Sequence, residues 1–534
     1  MLSKKINFWM LGSIVIAVII ILPLFEIVKT LFSPVSENWE HIKIYLLKDY
    51  IITTLGLVLA VLLVSTLIAV PLAWILTLYK IPGQKYMKYL LFLPMAIPPY
   101  IGTFTYSGIM GYTGIVQETI RRFYSSPPKL FWLEIRGIHG AIFCFSIFLF
   151  PYIYLPCKAY LEKNGGQYIE SARLLGDKEW KLFWRLGLPL LKFPILAGIT
   201  IITLDIFNDY AVASYLGVNT FSLAILKSWQ NYHDISSALR LSGYLLFMTF
   251  VIAFLFKNIL GNNSGTYVNS KSKPIISKKL KSKYSFLATC FVYLIFLISF
   301  IIPIGQMIYW TWHTLNSGAL RSIGLLQMIF NTFSLAFVSS IIILILGIVI
   351  GNYSRLFKSK IAEVVVKFST IGYTIPGAVI AICVLTFFIQ IYPRVTQSIS
   401  MLIFAYILRY FMVGYKNIAS GFNRMGMSFH QSSLLLGKNR LQTLFLVDLP
   451  MLKFSLVGAF FLSFVDIAKE LSLVLILRPF NFYTLSTKVF EYAHDEQIPE
   501  SSPASLLIIL ISLLPIIFFL IMDSKKENQD VFRD

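Results

Sequence analysis

Four acidic residues interrupt long apolar stretches of the sequence. Asp205 and Asp209 lie in one stretch, and Asp466 and Glu470 lie at the corresponding positions 261 residues further along the chain. A spacing of four places both members of a pair on one face of a helix. Charged groups deep in a membrane face a protein interior or a water-filled path, so we interpret these acids, together with Lys469, as a gate or cation route. The alternative is a structural role, in which Lys469 neutralises Asp466 and the acids hold helices together through hydrogen bonds.

A polar, basic segment also occurs twice in the sequence, and its two copies are 261 residues apart. Each copy contains a short helical pattern, a glycine at which the backbone can turn, and an amphipathic stretch whose proline opens the next apolar stretch. This order predicts a docking element at a membrane face, and we call residues 160–190 and 417–451 the first and second docking loops. The alternative is a loop that only lies on the lipid surface. The residues predicted to couple the loops to a partner are Glu170, Ser171, Ala172 and Gly176 in the first copy and Gln431, Ser432, Ser433 and Gly437 in the second.

Membrane helices are the elements predicted to position these residues. Hydrophobic residues make up 57% of the chain and charged residues 13%, a composition outside the range of soluble domains. The sequence therefore predicts an all-α polytopic membrane protein. A helix needs about 20 apolar residues to cross a bilayer, and we identify twelve such stretches: 7–27, 51–79, 89–111, 138–159, 190–215, 241–260, 284–309, 329–353, 365–391, 399–416, 451–477 and 504–522.

Lysine and arginine gather in the loops on one side of these spans. Lys4 and Lys5 precede the first span, and the first docking loop and the mid-chain segment are both basic. Short cytoplasmic loops hold such an excess, so both termini and both docking loops are predicted to be cytoplasmic. We assign the net charge of +21 to this membrane face, beside anionic lipid, and not to nucleic-acid binding.

Residue patterns typical of enzymes or metal centres are missing from the sequence. The four cysteines and six histidines have no metal-ligand or redox spacing. Gly437 and Lys438 lack the upstream glycine and the following Ser or Thr of a Walker-type phosphate loop. We therefore predict no catalytic residues, assign no metal site, and expect no cofactor bound by this chain. A membrane-embedded enzyme would need a convergent nucleophile or metal cluster.

The repeats divide the chain into two homologous halves. Thr54 matches Thr332 and Pro98 matches Pro376 at a second constant offset, of 278 residues. The segment between the halves is rich in asparagine, serine and lysine, a composition typical of a flexible connector. We predict a first six-helix half at 1–260 with a core at 51–260, a cytoplasmic linker at 261–283, and a second six-helix half at 284–534 with a core at 329–522.

The docking loops resemble the EAA loops of binding-protein-dependent ABC importer permeases. In that family the loop forms the coupling helix of a MetI-like core and sits in a groove of the ATPase. Gln431 stands where the family usually has glutamate, and Ser432 and Ser433 stand where it has alanines. The sequence is also similar to ferric iron importer permeases of the fused two-repeat type. That similarity is carried by Asn208, Asp209, Tyr210 and Phe221, by Tyr373, Pro376, Gly377, Val379 and Ile380, and by Asp466, Lys469, Glu470, Leu471, Arg478, Pro479, Phe480, Thr484, Leu485, Thr487, Val489 and Glu491.

This resemblance implies a permease subunit that forms the translocation pathway for ferric iron in a bacterial inner membrane. It also implies two partners: a homodimeric cytoplasmic ABC ATPase, which uses the ATP, and a periplasmic or lipoprotein substrate-binding protein. Permeases for thiamine, polyamines or phosphonates share the same loops and supply the alternative cargo classes. A secondary transporter could also have repeated halves and buried acids, but it would have no reason for two docking loops.

Overall fold

Helices dominate the computed structural model, which describes residues 8–124, 134–176, 178–260, 275, 277–316 and 324–531. Within these ranges the extended structure consists of two short strands, Tyr79–Lys80 and Lys278–Lys279, which pair in parallel with Tyr79 opposite Lys278. The predicted all-α polytopic class is confirmed.

The first part of the chain has short and long helices in alternation. Helical segments of 3-10 or π type link several of them, at Leu22–Leu24, Ile42–Leu46, Leu93–Ala96 and Phe183–Gly187. The α-helices are Phe8–Ile21, Phe25–Leu31, Glu37–His41, Leu47–Leu78, Gln84–Leu90, Pro99–Met110, Ile115–Phe123, Gly137–Leu149, Pro151–Leu174, Glu179–Leu182, Leu188–Asn208, Ala211–Leu216, Phe221–Gln230 and Ile235–Leu260.

The second part of the chain is also helical, with similar linking segments. Its 3-10 and π segments are Leu297–Ile301, Ile371–Thr374, Pro393–Val395 and Leu444–Asp448. Its α-helices are Ser282–Phe296, Ile302–Asn316, Leu325–Leu356, Lys360–Thr370, Gly377–Ile391, Ile399–Met425, Ser428–Leu435, Arg440–Thr443, Leu449–Ala468, Ser472–Leu477, Leu485–His494 and Ile498–Val531.

Ten helices of the described ranges are long and apolar enough to cross a membrane, and a bent pair raises the number to eleven if it counts as one span. The pair is Lys360–Thr374 with Gly377–Ile391, bent by 112°. The remaining predicted stretch, 89–111, is shared between Gln84–Leu90 and Pro99–Met110. Both breaks fall at a repeated Ile-Pro step, where Ile97 and Ile375 are extended because a residue before proline disfavours the helical region.

Packing divides the chain into two compact units, neither of which is continuous in sequence. One unit comprises Met1–Glu40, Ile225–Leu246 and Ile323–Lys488, and the other comprises His41–Ala224, Phe247–Ser322 and Val489–Asp534. Each unit thus combines most of one predicted core with segments of the other half. The predicted halves at 1–260 and 284–534 describe the sequence repeat, and their boundaries stay a prediction.

Each unit has its own helical core. In the unit that contains the second docking loop, Leu325–Leu356, Ile399–Met425 and Leu449–Ala468 pack together, and Ile418, Phe422, Leu452 and Ala459 form a buried cluster. In the unit that contains the first docking loop, Leu47–Leu78, Pro151–Leu174 and Leu188–Asn208 pack together. Their buried residues include Val61, Tyr154, Leu161 and Leu191.

Most of the linker predicted to be flexible, residues 261–274 and 276, lies outside the described residues. Its other end is ordered, since Lys278–Lys279 form a strand and Ser282 begins a helix. Composition alone does not reveal this strand or its partner Tyr79–Lys80, and the flexible connector stays a prediction.

Candidate functional site

The two docking loops have the same backbone turn at their glycines. Gly176 and Gly437 both have φ of +84°. In the first loop the Leu175 N–H donates to the Ser171 carbonyl at 3.1 Å, and in the second the Leu436 N–H donates to the Ser432 carbonyl, also at 3.1 Å. Leu175 and Leu436 are the C-cap residues of the preceding helices, and a left-handed glycine directly after the C-cap is a common way to end a helix. The repeated sequence spacing therefore corresponds to a repeated geometry, in which each loop changes direction at its glycine.

The predicted coupling residues surround these turns in different environments. Ser171, Gln431 and Ser432 are exposed. Glu170 and Ala172 are half-buried. Ser433 is buried and its hydroxyl lies 3.0 Å from that of Thr443. Ser433 thus belongs to the interior of the second loop, whereas the exposed residues are open to a partner. The coupling role of all eight residues stays a prediction.

Each loop also presents a pair of leucines that the sequence analysis missed. Leu174 and Leu175 are 89% and 87% exposed, and Leu435 and Leu436 are 88% and 83% exposed. All four lie directly before the glycine turns. The signal was available in the sequence as two leucines at the same position in both repeats. An apolar pair at the same place in both loops is suited to burial in a protein groove.

The first docking loop is braced by hydrogen bonds to Glu179, which begins the short helix after the turn. The Tyr79 hydroxyl donates to Glu179 Oε2 at 2.9 Å, and Arg173 Nη2 donates to the same oxygen at 3.3 Å. Burial and the adjacent Glu179 carboxylate raise the pKa of the Tyr79 phenol above its usual value, so the phenol stays protonated as a donor. The brace joins both sides of the Gly176 turn to the end of the helix Leu47–Leu78.

A different brace, a buried ionic cluster, holds the second docking loop. Asp448 Oδ1 lies 3.3 Å from Arg355 Nη1, and Asp448 Oδ2 lies 2.7 Å from His430 Nδ1. All three side chains are buried. At the 261-residue offset, Ile169 and Gly187 stand where the second loop has His430 and Asp448. This cluster is therefore a property of the second loop alone, and sequence reasoning did not find it because its members are spread over 94 positions.

The acidic pairs lie at helix ends and not on one continuous helix face. We predicted unbroken spans at 190–215 and 451–477, but the helices end at Asn208 and Ala468. Asp205 is half-buried within the first of them. Asp209 Oδ1 accepts the Val212 N–H at 2.8 Å, at the first turn of the helix Ala211–Leu216. The prediction of one shared helix face is wrong because a carboxylate that caps a new helix favours the break.

Glu470 makes the corresponding contact in the other repeat and has further partners. Its Oε1 accepts the Leu473 N–H at 3.2 Å and lies 3.6 Å from Arg409 Nη1. The Tyr410 hydroxyl donates to Oε2. We did not predict a role for Arg409. An arginine within the predicted span 399–416 is expected to have an acidic partner. Glu470 is thus a structural partner of a buried cation.

Asp466 and Lys469 form the ion pair that the structural alternative predicted. Asp466 Oδ1 lies 2.8 Å from Lys469 Nζ, and both side chains are partly exposed. A role for these acids in the pathway stays a prediction. Within the described ranges, no group of three or more His, Cys, Asp or Glu side chains is arranged to hold a metal ion.

Both repeats anchor the segment after the helix break in the same way. The Thr54 hydroxyl accepts the Phe221 N–H at 3.1 Å, and the Thr332 hydroxyl accepts the Leu485 N–H at 2.9 Å. Ser222 donates to the Asp209 carbonyl at 2.9 Å, and Ser486 donates to the Glu470 carbonyl at 2.7 Å. Asp209 and Glu470 therefore each belong to a hydrogen-bonded turn that is anchored by the same types of contact in both repeats.

Neutral amides at these positions should separate a structural role from a pathway role. Glu470→Gln leaves the buried Arg409 without its counter-charge, a loss of about 3–5 kcal/mol, so we expect lower melting temperature and expression. Asp209→Asn keeps an acceptor for the helix cap and should cost less than about 1 kcal/mol. Both variants are measured by melting in detergent and by uptake normalised to folded protein.

Second-site changes supply the control for this test. Arg409→Met should restore part of the stability of Glu470→Gln, since it removes the buried cation that has lost the charge of Glu470. A Glu470→Gln protein that melts normally but has lost uptake would show instead that the charge acts in the pathway.

Comparisons with known proteins agree with the repeated architecture. The sequence profile of the family described as "Binding-protein-dependent transport system inner membrane component" matches the chain twice, over residues 69–274 and 343–525. The Fe(3+)-transport system permease protein FbpB 2 of Haemophilus influenzae is 26% identical over 455 residues, which cover 83% of this chain and 84% of that protein. The two family matches confirm the predicted duplication.

Sulfate permeases match shorter parts of the chain. The sulfate transport system permease protein CysT of Escherichia coli is 26% identical over 206 residues, 38% of this chain and 72% of that protein. The probable sulfate transport system permease protein cysT of Marchantia polymorpha is 22% identical over 253 residues, 45% of this chain and 83% of that protein. Each of these two similarities thus covers less than half of the chain.

Proposed function

Because the chain belongs to the family of binding-protein-dependent transport system inner membrane components, we propose that it forms both permease halves of an importer for ferric iron. The observation that supports ferric iron as the cargo is the share of the chain over which each similarity extends. The similarity to the Fe(3+) permease extends over 83% of this chain, whereas that to the CysT protein of Escherichia coli extends over 38%. The chain itself is a permease and not an enzyme.

The driving force in this proposal comes from a homodimeric cytoplasmic ABC ATPase. Each ATPase subunit receives one docking loop, and the exposed leucine pairs at 174–175 and 435–436 enter its groove. Two loops with the same glycine turn suit two identical receptors, since one receptor shape then fits both. The ATP is bound and hydrolysed by that partner, and we propose that this chain holds no cofactor of its own.

The protein is a multi-pass component of the inner membrane. We propose that both termini and both docking loops face the cytoplasm, since basic loops are retained there, and that a periplasmic or lipoprotein binding protein delivers the cargo on the other side. Protease cleavage of the C-terminus only in inside-out vesicles would test this orientation.

The cargo is tested in a deletion strain. At low iron supply the strain should lose most of its accumulation of radiolabelled ferric iron, while uptake of thiamine, polyamines, phosphonate and sulfate continues at the parental rate. Reintroduction of the intact gene should restore iron uptake. Normal iron accumulation together with loss of any of the other four cargoes would overturn the iron assignment and identify the alternative.

A further inference from the structure

The end of the linker is built into the first docking loop. Lys278 and Lys279 pair in parallel with Tyr79 and Lys80, directly after the helix Leu47–Leu78. Opposite residues of paired strands place their side chains on the same face of the ribbon. Tyr79 and Lys278 are such a pair, so their side chains can act on one common target.

That target is Glu179 of the first docking loop. Lys278 Nζ lies 3.2 Å from Glu179 Oε1, and the Tyr79 hydroxyl lies 2.9 Å from Glu179 Oε2. The two strand partners therefore hold one carboxylate by its two oxygens. Arg173 of the loop contacts the same two oxygens, each at 3.3 Å, so the ribbon and the loop's own arginine together orient the carboxylate.

A second contact places the linker against the helix that leads into the Gly176 turn. An added Cβ at Gly165 would lie 2.8 Å from Ile275 Cδ1, so Ile275 occupies the space that a larger residue would fill. Gly165 belongs to the helix Pro151–Leu174, and Leu174 is one of the exposed leucines. The linker thus contacts the first docking loop on both sides of its turn.

The second docking loop has no equivalent of this arrangement in its sequence. At the 261-residue offset, Arg440 stands in the place of Glu179, and the loop is braced by the buried Asp448 cluster. The first brace is partly exposed, with Glu179 and Lys278 at 33% and 61% side-chain exposure. Partly exposed pairs are weakened by salt, whereas buried pairs are screened much less.

We propose that the linker is a positioning element for the first docking loop, in which Lys278 holds Glu179 so that the loop keeps the shape its ATPase subunit recognises. This inference rests on the docking role proposed above. In this proposal the linker has a structural role besides connecting the two halves. It also makes the first loop the salt-sensitive contact of the two.

Lysine substitutions in the full-length protein test this proposal. Lys278→Met should weaken retention of the ATPase subunits by the detergent-solubilised permease about 1.5- to 5-fold at low salt, the range of a partly exposed ion pair. Lys279→Met is the matched control, since it removes the adjacent exposed charge of the same strand, and should change retention little. Lys278→Arg should restore it. At high salt the wild type should approach Lys278→Met.

Melting temperature separates positioning from folding. The proposal requires that the Lys278→Met variant has the same melting temperature as the wild type while it retains less of the ATPase. Equal effects of Lys278→Met and Lys279→Met, or a fall in retention that follows a fall in melting temperature, would overturn it. If the wild type itself retains no ATPase, the docking role fails and not only the contribution of the linker.

Discussion

Valine in place of Gly176 or Gly437 should reduce ATP-driven uptake at least about 5-fold while the protein still inserts in the membrane. Both glycines have φ of +84°, a backbone conformation that costs a residue with a side chain about 1–3 kcal/mol. A Cβ at either position would meet no atom within 4 Å, so the expected defect is backbone strain and not a clash. Strain of this size lowers the population of the correct turn roughly 5- to 150-fold.

Two controls define this result. Gly176→Asn should retain most activity because asparagine tolerates the left-handed region. Gly56→Val changes an exposed helical glycine that also has open space around it and should leave ATPase retention unchanged. We expect Gly176 to be more sensitive than Gly437, since the first loop keeps Glu170 and Ala172 at the positions where the family has them. Uptake and ATPase retention that survive in both valine variants would mean that the loops only rest on lipid.

Replacement of Asp448 should be the most destabilising single change in the second docking loop. Asp448→Asn leaves Arg355 and His430 buried without their carboxylate. Breaking a buried ion pair costs about 3–5 kcal/mol. The variant should melt at a clearly lower temperature in detergent and lose the ATPase at its second loop.

The matched control is Asp466→Asn. Asp466 is likewise in an ion pair, with Lys469, but both of these side chains are partly exposed. Such pairs contribute about 1 kcal/mol or less. An apolar substitution of the whole cluster, Asp448→Leu with Arg355→Met and His430→Leu, should recover much of the stability, because well-packed apolar side chains often replace a buried ion pair without loss. Equal melting temperatures of Asp448→Asn and Asp466→Asn would contradict the expectation that the buried ion pair contributes more stability than the exposed one.

The spans and the docking loops could be predicted from sequence because their causes are local. Apolar length specifies a membrane helix, and a glycine at a repeated position predicts a turn that other residues resist. The breaks at Asp209 and Glu470 could not be predicted in the same way. They depend on partners such as Ser222, Ser486 and Arg409, which composition and spacing do not connect to the acids.

The two braces were hidden for related reasons. In the sequence Lys278 is one of many linker lysines, and nothing near it in the chain indicates a contact. The structure shows that its strand partner is Tyr79 and that its side chain contacts the Glu179 carboxylate. His430 and Asp448 are typical loop residues in sequence and become a buried cluster only through Arg355. Both cases require a third residue distant in the chain, which periodicity within a short window cannot identify.

The composition of the compact units constrains the biogenesis of the protein. The unit that holds the first docking loop includes Val489–Asp534, and the unit that starts at Met1 is complete only at Lys488. Ribosomes add about 5–20 residues per second. The interval between synthesis of the earliest helices and synthesis of their last packing partners is therefore on the order of a minute. Neither unit can finish folding before the residues around Lys488 and Val489 have been made, and a nonsense mutation shortly after codon 488 would remove part of the unit that contains His41–Ala224.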